Sequence, residues 1–329
     1  MMKPFTLARA DTLDAALDEL RAPGTMAIAG GTELLNWLKE GIVGPDRLLD
    51  ISRLPMTGIE TGPDGLVIGA LARMSDVAAH PVVATGYPVL AQSLLLAASA
   101  QLRNMATIGG NLMQRTRCAY FRADAPLPCN QRVAGSGCAA REGDSSAHAI
   151  FGATPDCVAT HPSDLAVALA ALDATAQLRS ASGERTVALA EFHRLPTEDP
   201  AGRHTALEPG ELIVSVTVPG PAAERSHYLK VRERVSYEFA VVSAAAAVQL
   251  SGTTLDRARI ALGAVAHRPW RLSAAELALA GADLGDTAGL RAAVATSFAD
   301  ARALPGNAYK IELAQRAAVR ALRVAGGMG

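Results

Sequence analysis

Every cysteine of this 329-residue chain lies between Cys118 and Cys157, spaced C-x10-C-x8-C-x18-C through Cys129 and Cys138. Thiolates are soft ligands that suit zinc or iron–sulfur clusters. Four cysteines also allow three disulfide connectivities. A chain this long, with 50% apolar residues, has little need of such staples. The close C-x2-4-C pairs of structural zinc are absent, and so is the C-x2-C-x2-C run of ferredoxins. The surrounding stretch is rich in Gly, Pro, Asn and Arg, so backbone amides can donate to sulfur and cations can offset cluster charge. About 40 residues without regular structure, roughly 114–157, are uncommon unless functional or tied down. A four-thiolate metal site therefore stands ahead of free thiols or disulfides, with zinc and iron–sulfur both open.

Two double-glycine segments offer a second chemistry. Ile28-Ala29-Gly30-Gly31-Thr32-Glu33 joins a strand to a helix, where backbone N–H groups can approach a phosphate closely. It is neither GxGxxG nor a P-loop, and alone it reads as an ordinary tight turn. Thr107-Ile108-Gly109-Gly110-Asn111 reads as a strand-like second turn, and the two together could hold one diphosphate. Asp164, in HPSD, opens a helix. It reads either as a first-turn acid or as a carboxylate for a ribose or ribityl hydroxyl. His161 reads as a cap or packing residue, and His148 and His193 as surface or loop residues. No Ser/His/Asp or Cys/His catalytic set stands out.

The elements that position these groups follow from periodicity and turn signals. TLDAALDELRAPG reads as a helix capped by Thr12 or Asp11, TMAIAGG as a strand, GTELLNWLKEG as a helix and RLLDIS as a strand. GLVIGA reads as a strand, MSDVAAHPVV as a short helix and PVLAQSLLLAASAQLRN as one longer helix. A helix capped by Ser163 runs from the cysteine stretch into the strands TAQLRS, GERTVAL and ELIVSVTVP. Residues 219–225 read as a linker. Beyond it come strands in SHYLKVRER, FAVVSAAAAVQL and ARIALGAVAHRPWR, and helices in SAAELALAGADL and IELAQRAAVRALRVAG. The expected architecture is α+β: a two-subdomain α/β unit, 1–57 and 58–222, then a C-terminal α+β domain, 223–329, whose antiparallel sheet carries helices on one face.

The net charge of -1 argues against a nucleic-acid or anionic-membrane surface as the main partner. No apolar run is long enough for a membrane span. MMKPFTLARADTLDAALDEL carries neither an apolar signal core nor a twin-Arg signal. The chain is therefore expected in the cytoplasm, or in the periplasm by co-export with a signal-bearing partner.

In combination, IAGGTELLNWLKEG, IGALARMSDVA, QLRNMATIGGNLMQRTRC, ATHPSDLAVALAALDA and KVRERVSYEFAVVSAAAAV resemble the FAD-binding medium subunit of the molybdenum hydroxylases. That is the xanthine dehydrogenase and aldehyde oxidoreductase family. The likeness covers nearly the whole chain in order and implies an FAD fold of the vanillyl-alcohol-oxidase type. TRCAYFRADAPLPCNQRVAGSGCAAREGDSSAHAIFGATPDC resembles a narrower group, the FAD subunits of bacterial periplasmic aldehyde oxidoreductases and, more distantly, of 4-hydroxybenzoyl-CoA reductases. In both, the loop carries a [4Fe–4S] cluster.

The resemblance implies that Ile28, Ala29, Gly30, Gly31, Thr32, Glu33 and Leu34 line the FAD diphosphate. Thr107, Gly110 and Asn111 would close the site, Asp164 would bond a polar part of FAD, and Ile213 and Lys230 would flank the flavin. Cys118, Cys129, Cys138 and Cys157 would ligate the cluster. Tyr237 and Phe239 are expected either in packing or in flavin shielding.

The implied protein is the electron-transfer subunit of a heterotrimeric aldehyde oxidoreductase. Its partners would be a large molybdenum-cofactor subunit, a small [2Fe–2S] subunit and an external electron acceptor. A 4-hydroxybenzoyl-CoA reductase-like or xanthine dehydrogenase-like complex is the alternative within the family. A zinc-binding module without FAD, or a subunit that only docks the other two, are the readings outside it.

Overall fold

The computed structural model describes residues 2–198, 202–221, 223 and 225–329. Three sheets follow one another along the chain. The first contains β1 (Thr6–Arg9), β2 (Thr25–Ile28) and β3 (Arg47–Asp50), all parallel, in the order β1-β3-β2. Parallel neighbours need crossovers, and the helices Leu13–Glu19 and Leu34–Lys39 provide them. Thr12 caps the first helix, accepting from the Ala15 N–H at 3.2 Å. Strand β1 is invisible to periodicity because it is exposed along nearly its whole length.

The second sheet contains β4 (Ile59–Gly62), β5 (Gly65–Gly69), β6 (Thr175–Ser180), β7 (Gly183–Ala188) and β8 (Leu212–Pro219). It is antiparallel, in the order β4-β5-β8-β6-β7. The cysteine stretch is inserted between β5 and β6. The third sheet is also antiparallel: β9 (Ser226–Val231), β10 (Val242–Ser251), β11 (Thr254–Gly263) and β12 (Trp270–Arg271), in the order β12-β11-β10-β9. This is the expected α+β architecture. Of the predicted linker 219–225, residues 222 and 224 lie outside the described residues. No helix among the described residues is long and apolar enough to cross a membrane.

Three local expectations change. PVLAQSLLLAASAQLRN forms two helices, Pro88–Leu96 and Ala100–Arg103. Ala98 at φ 50 breaks the run, and the Ser99 hydroxyl caps the second of the two. MSDVAAHPVV likewise divides into Met74–Ala79 and Pro81–Gly86, because Pro81 opens a new helix at its first turn. TIGGNL is no strand: Ile108–Leu112 is one helical turn, and Thr107 Oγ1 accepts the Gly110 N–H at 3.2 Å. The threonine cap supplies the acceptor that a glycine-rich helix start needs.

The C-terminal sheet is covered on both faces, not one. Along β10, Ala244, Ala246 and Val248 pack with the C-terminal helix Tyr309–Ala325. The alternate residues Ala245 and Ala247 join the core built around the helix Asp164–Ala171, all of whose residues are buried. Alternation in a strand sends successive side chains to opposite faces, so an alanine run serves two thin, close packings at once. At Gly263 a Cβ would lie 2.5 Å from Val167 Cγ2, so the sheet meets that helix without space for a methyl group.

Candidate cofactor sites

The first glycine turn follows β2. Gly31 sits at φ +69, where a side chain is strained. A Cβ on Gly30 would lie 2.0 Å from the Met105 carbonyl oxygen. That backbone contact brings the first turn directly against the residues that lead into the second, as the pairing of the two turns requires. The backbone N–H groups of residues 29–33 donate to no described residue. They form an open row of donors suited to a phosphate.

The second turn is anchored by N–H bonds from Ile108 to the Ala72 carbonyl, 3.0 Å, and from Gly109 to the Ala70 carbonyl, 2.8 Å. Asn111 Oδ1 accepts the Ser163 hydroxyl at 2.6 Å. Ser163 also caps the Asp164 helix, accepting the Ala166 N–H at 3.0 Å. The second turn and the start of that helix are thus one hydrogen-bonded unit.

Asp164 is not the cap. It is buried, and its two oxygens accept the Tyr228 hydroxyl at 2.6 Å and the Lys230 ammonium at 2.8 Å. Lys230 also donates to the Leu96 carbonyl at 3.1 Å. Burial pushes the Asp164 carboxyl up, against the pull of the Lys230 charge. Burial, with the Asp164 charge beside it, drives the Tyr228 phenol well above its ordinary value. The structure therefore joins two of the predicted residues, Asp164 and Lys230, to each other. Ile213 lies in β8 within the apolar core.

Asp164 opens onto a cleft of about 210 Å³, lined also by Arg117, His161, Phe239 and Ser243. His161 stacks on His193 with ring centroids 3.8 Å apart. Its Nε2 is buried without a partner. His193 donates to the Leu112 carbonyl at 2.8 Å. Burial pulls the His193 imidazole down to about 4 and His161 well below its usual range. His193 and His148 are buried rather than at the surface, and His148 stands in an irregular segment, as the loop alternative has it. Tyr237 and Phe239 are exposed rather than packed in a core, and the Arg117 guanidinium lies 4.9 Å from the Phe239 ring centre.

The cysteine stretch wraps a second, much smaller cavity of about 10 Å³, and all four cysteines line it. None is in a disulfide. Cys129 and Cys138 face each other as an antiparallel bridge, closed by Asn130 N to the Gly137 carbonyl and Ala139 N to the Pro128 carbonyl. Thr154 Oγ1 accepts the Cys157 N–H at 3.2 Å. His148 Nε2 lies 3.2 Å from Cys118 Sγ. His267 Nε2 lies 3.2 Å from Cys157 Sγ, and Gln131 Nε2 donates to the same sulfur at 3.1 Å.

Burial raises the Cys118 thiol and lifts Cys157 to about 11. Among the described residues no group of three His, Cys, Asp or Glu side chains is drawn together tightly enough for a single metal ion. Four thiols around one shared space are the donor set that a four-thiolate metal group requires.

Three arginines of the cysteine stretch make contacts just outside the cage. Arg115 lies 4.6 Å from the Phe121 ring centre, and its guanidinium is lowered to about 10 by burial. Arg117 and Arg122 both reach Glu33, the last residue of the first glycine turn, at 2.7 and 2.5 Å. Arg122 also pairs with Glu40 at 2.8 Å. Trp37 Nε1 donates to Glu33 at 2.7 Å. The side chain of Glu33 thus meets two arginines of the cysteine stretch. Thr116, Cys118 and Tyr120 line both the cleft and the cage.

Residues 3–221 match the model of an FAD binding domain in molybdopterin dehydrogenase, and residues 227–325 that of a CO dehydrogenase flavoprotein C-terminal domain. The chain is 48% identical over 318 residues to the aldehyde oxidoreductase FAD-binding subunit PaoB of Escherichia coli K12, covering 96% of both chains. It is 30% identical to the glyceraldehyde dehydrogenase medium chain of Sulfolobus acidocaldarius, covering 86% of this chain and 83% of that one. Among solved structures, carbon monoxide dehydrogenase from Hydrogenophaga pseudoflava superposes with a TM-score of 0.75 at 27% identity, over 100% of this chain and 99% of that one. Quinoline 2-oxidoreductase from Pseudomonas putida 86 gives 0.76 at 25% identity, over 100% of each.

Proposed function

The chain belongs to the FAD-binding subunits of the molybdenum hydroxylases, a family of oxidoreductases, and on that premise we propose that it is the electron-transfer subunit of an aldehyde oxidoreductase carrying FAD and a [4Fe–4S] cluster. The observation that carries the cluster is the convergence of all four cysteines on one cavity. The aldehyde class rests on the 48% identity to a subunit of that name. The chain receives electrons from a small [2Fe–2S] subunit, itself fed by a large molybdenum-cofactor subunit that oxidises the substrate. It delivers them to an external acceptor.

When bound, FAD interconverts one- and two-electron transfer and the cluster carries single electrons. The rest is the work of this chain's residues. The N–H row of residues 29–33 and the abutting turn of Thr107, Gly110 and Asn111 hold the diphosphate. Asp164, already bonded to Tyr228 and Lys230, keeps acceptor capacity for a polar group of FAD. Cys118, Cys129, Cys138 and Cys157, which line one cavity, would hold the cluster through their thiolates. Arg115, Arg117 and Arg122 offset the anionic charge of the cage. Cys118 borders both cavities, so the cage and the cleft share a wall one residue thick.

The test is the flavin, iron and acid-labile sulfide content of the complex, with low-temperature EPR after dithionite. A [4Fe–4S] signal lost in Cys129→Ser, beside FAD that remains, supports the reading. Zinc without iron, or iron indifferent to Cys129, overturns the cluster. Turnover of purines or of an aromatic acyl thioester, with no turnover of aldehydes, overturns the substrate class.

A further inference from the structure

A thiolate bound to iron has lost its proton, so its sulfur can only accept hydrogen bonds. Such bonds stabilise the more negative, reduced form of a cluster and set its potential. Two of the four cysteines have imidazole nitrogens within reach, and both rings come from outside the stretch 118–138. His148 Nε2 is 3.2 Å from Cys118 Sγ, and His267 Nε2 is 3.2 Å from Cys157 Sγ. In each ring the other nitrogen, Nδ1, is buried and has no hydrogen-bond partner among the described residues. A neutral imidazole carries one N–H, and burying that donor with no acceptor is the costly arrangement. The proton therefore belongs on Nε2, facing sulfur, and a charged ring would present the same donor there.

We propose that His148 and His267 are positioning residues that donate N–H···S hydrogen bonds to two cysteine ligands and raise the reduction potential of the cluster. This rests on the cluster reading above. Reduction adds one electron to the cluster and no proton, so the new charge falls partly on sulfur and strengthens both bonds.

Each ring is set by packing rather than by its neighbours in sequence. The His148 carbonyl accepts from Asn307 Nδ2 at 3.0 Å and Lys310 Nζ at 2.9 Å. His267 stands in the turn between β11 and β12, 110 residues from its cysteine. The C-terminal domain thus supplies one donor directly and fixes the other through its last helix. Gln131 adds a third N–H, on Cys157 at 3.1 Å. Beside the backbone N–H groups of Tyr120 and Phe121 at Cys118 and of Ala159 at Cys157, two side-chain donors among the described residues reach Cys157 and one reaches Cys118, so the loss of His267 leaves Cys157 with the Gln131 bond, whereas the loss of His148 strips Cys118 of that one side-chain donor.

The test is an EPR-monitored redox titration of the purified complex, with iron and sulfide assayed on every variant. His148→Leu and His267→Leu remove the donor, while His148→Gln and His267→Gln restore an N–H at a comparable reach. The expected result is full iron content, a potential shifted down in each Leu variant and recovery in each Gln variant. The expected shift at His148 is about tenfold in the ratio of reduced to oxidised cluster, about 59 mV for one electron. Equal potentials in wild type and Leu variants of equal iron content overturn the proposal. If a Leu variant loses iron, the Gln variant decides: wild-type iron and potential support the donor role, and iron loss there too overturns it. A wild-type complex without iron defeats the cluster reading itself, a different outcome from an unchanged potential.

Discussion

Glu33 and Arg122 form an ion pair at 2.5 Å with each side chain only 12% exposed, and it ties the glycine turn of the flavin site to the wall of the cysteine cage. Arg117 reinforces the same carboxylate from beside Cys118. Breaking a shielded pair on one side leaves the other charge uncompensated. Glu33→Gln is therefore expected to lower stability by about 2–4 kcal/mol and to reduce FAD and iron content together. Glu40→Gln, which leaves Arg122 its bond to Glu33, spares both cofactors. Cofactor assays and thermal melts of the two variants check this, and FAD loss with iron unchanged refutes the coupling.

Metal removal is expected to loosen the cage selectively. Burial raises the metal-free thiols of Cys118 and Cys157, the latter to about 11, so metal binding must displace protons and ordering is linked to loading. Chelation should open residues 114–157 to limited proteolysis while the three sheets resist. Cleavage sites mapped by mass spectrometry decide, and an unchanged digest counts against a metal-ordered loop.

Gly30 has no room for a methyl group, because its Cβ would meet the Met105 carbonyl at 2.0 Å. Gly30→Ala must push the two turns apart. Flavin fluorescence after desalting should show at least a tenfold weaker hold on FAD. Retention of FAD at the wild-type level would mean the turns do not share the diphosphate.

Asp164→Asn strands the Lys230 ammonium, whose side chain is 1% exposed. A loss of about 3–5 kcal/mol is expected from an unpaired buried charge. Replacing both residues, Asp164→Asn with Lys230→Met, should regain much of that stability but not FAD affinity. Denaturant titrations beside FAD binding separate the two effects, and an additive double variant would show that the pair is not coupled.

Lys310 is buried with three carbonyl acceptors, those of Ala147, His148 and Ala264, and no acidic partner among the described residues. Burial pulls its ammonium down to about 7 from an ordinary 10.5. Between these values the unfolded chain holds a proton that the folded chain has released, so stability attributable to Lys310 rises with pH through that window. Below about 7 the buried charge exerts its full destabilising effect. Melting curves of wild type and Lys310→Met should diverge in favour of wild type from pH 7 upward. Parallel pH profiles would mean the lysine keeps an ordinary pKa when folded.

Much of the site can be read from the sequence because its chemistry is concentrated. Four cysteines in one irregular stretch and two double glycines need no tertiary information to be noticed. What escapes is contact made by packing between distant segments. His267 approaches Cys157 across 110 residues, and no local pattern in GAVAHRPWR announces it. His148 reads as a loop residue, yet Asn307 and Lys310 draw its backbone under the C-terminal helix. Thr107–Asn111 resembles a strand in composition, but one hydroxyl cap is enough to turn it into a helix start. Asp164 stands out in HPSD and Lys230 only through the resemblance, whereas their pairing depends on the β9 side chains of Tyr228 and Lys230 reaching the start of the Asp164 helix.

The alanine run of β10 has a mechanical consequence. Its methyl groups mesh with helices on both sides of the sheet, and Gly263 meets Val167 with no space to spare. Such a seam leaves no slack for a hinge, since neither face can slide without opening voids or colliding. The floor of the cleft, at Asp164, Ser243 and Gly263, is then held at a fixed spacing in this chain, while Phe239 at its mouth stands on an exposed irregular segment.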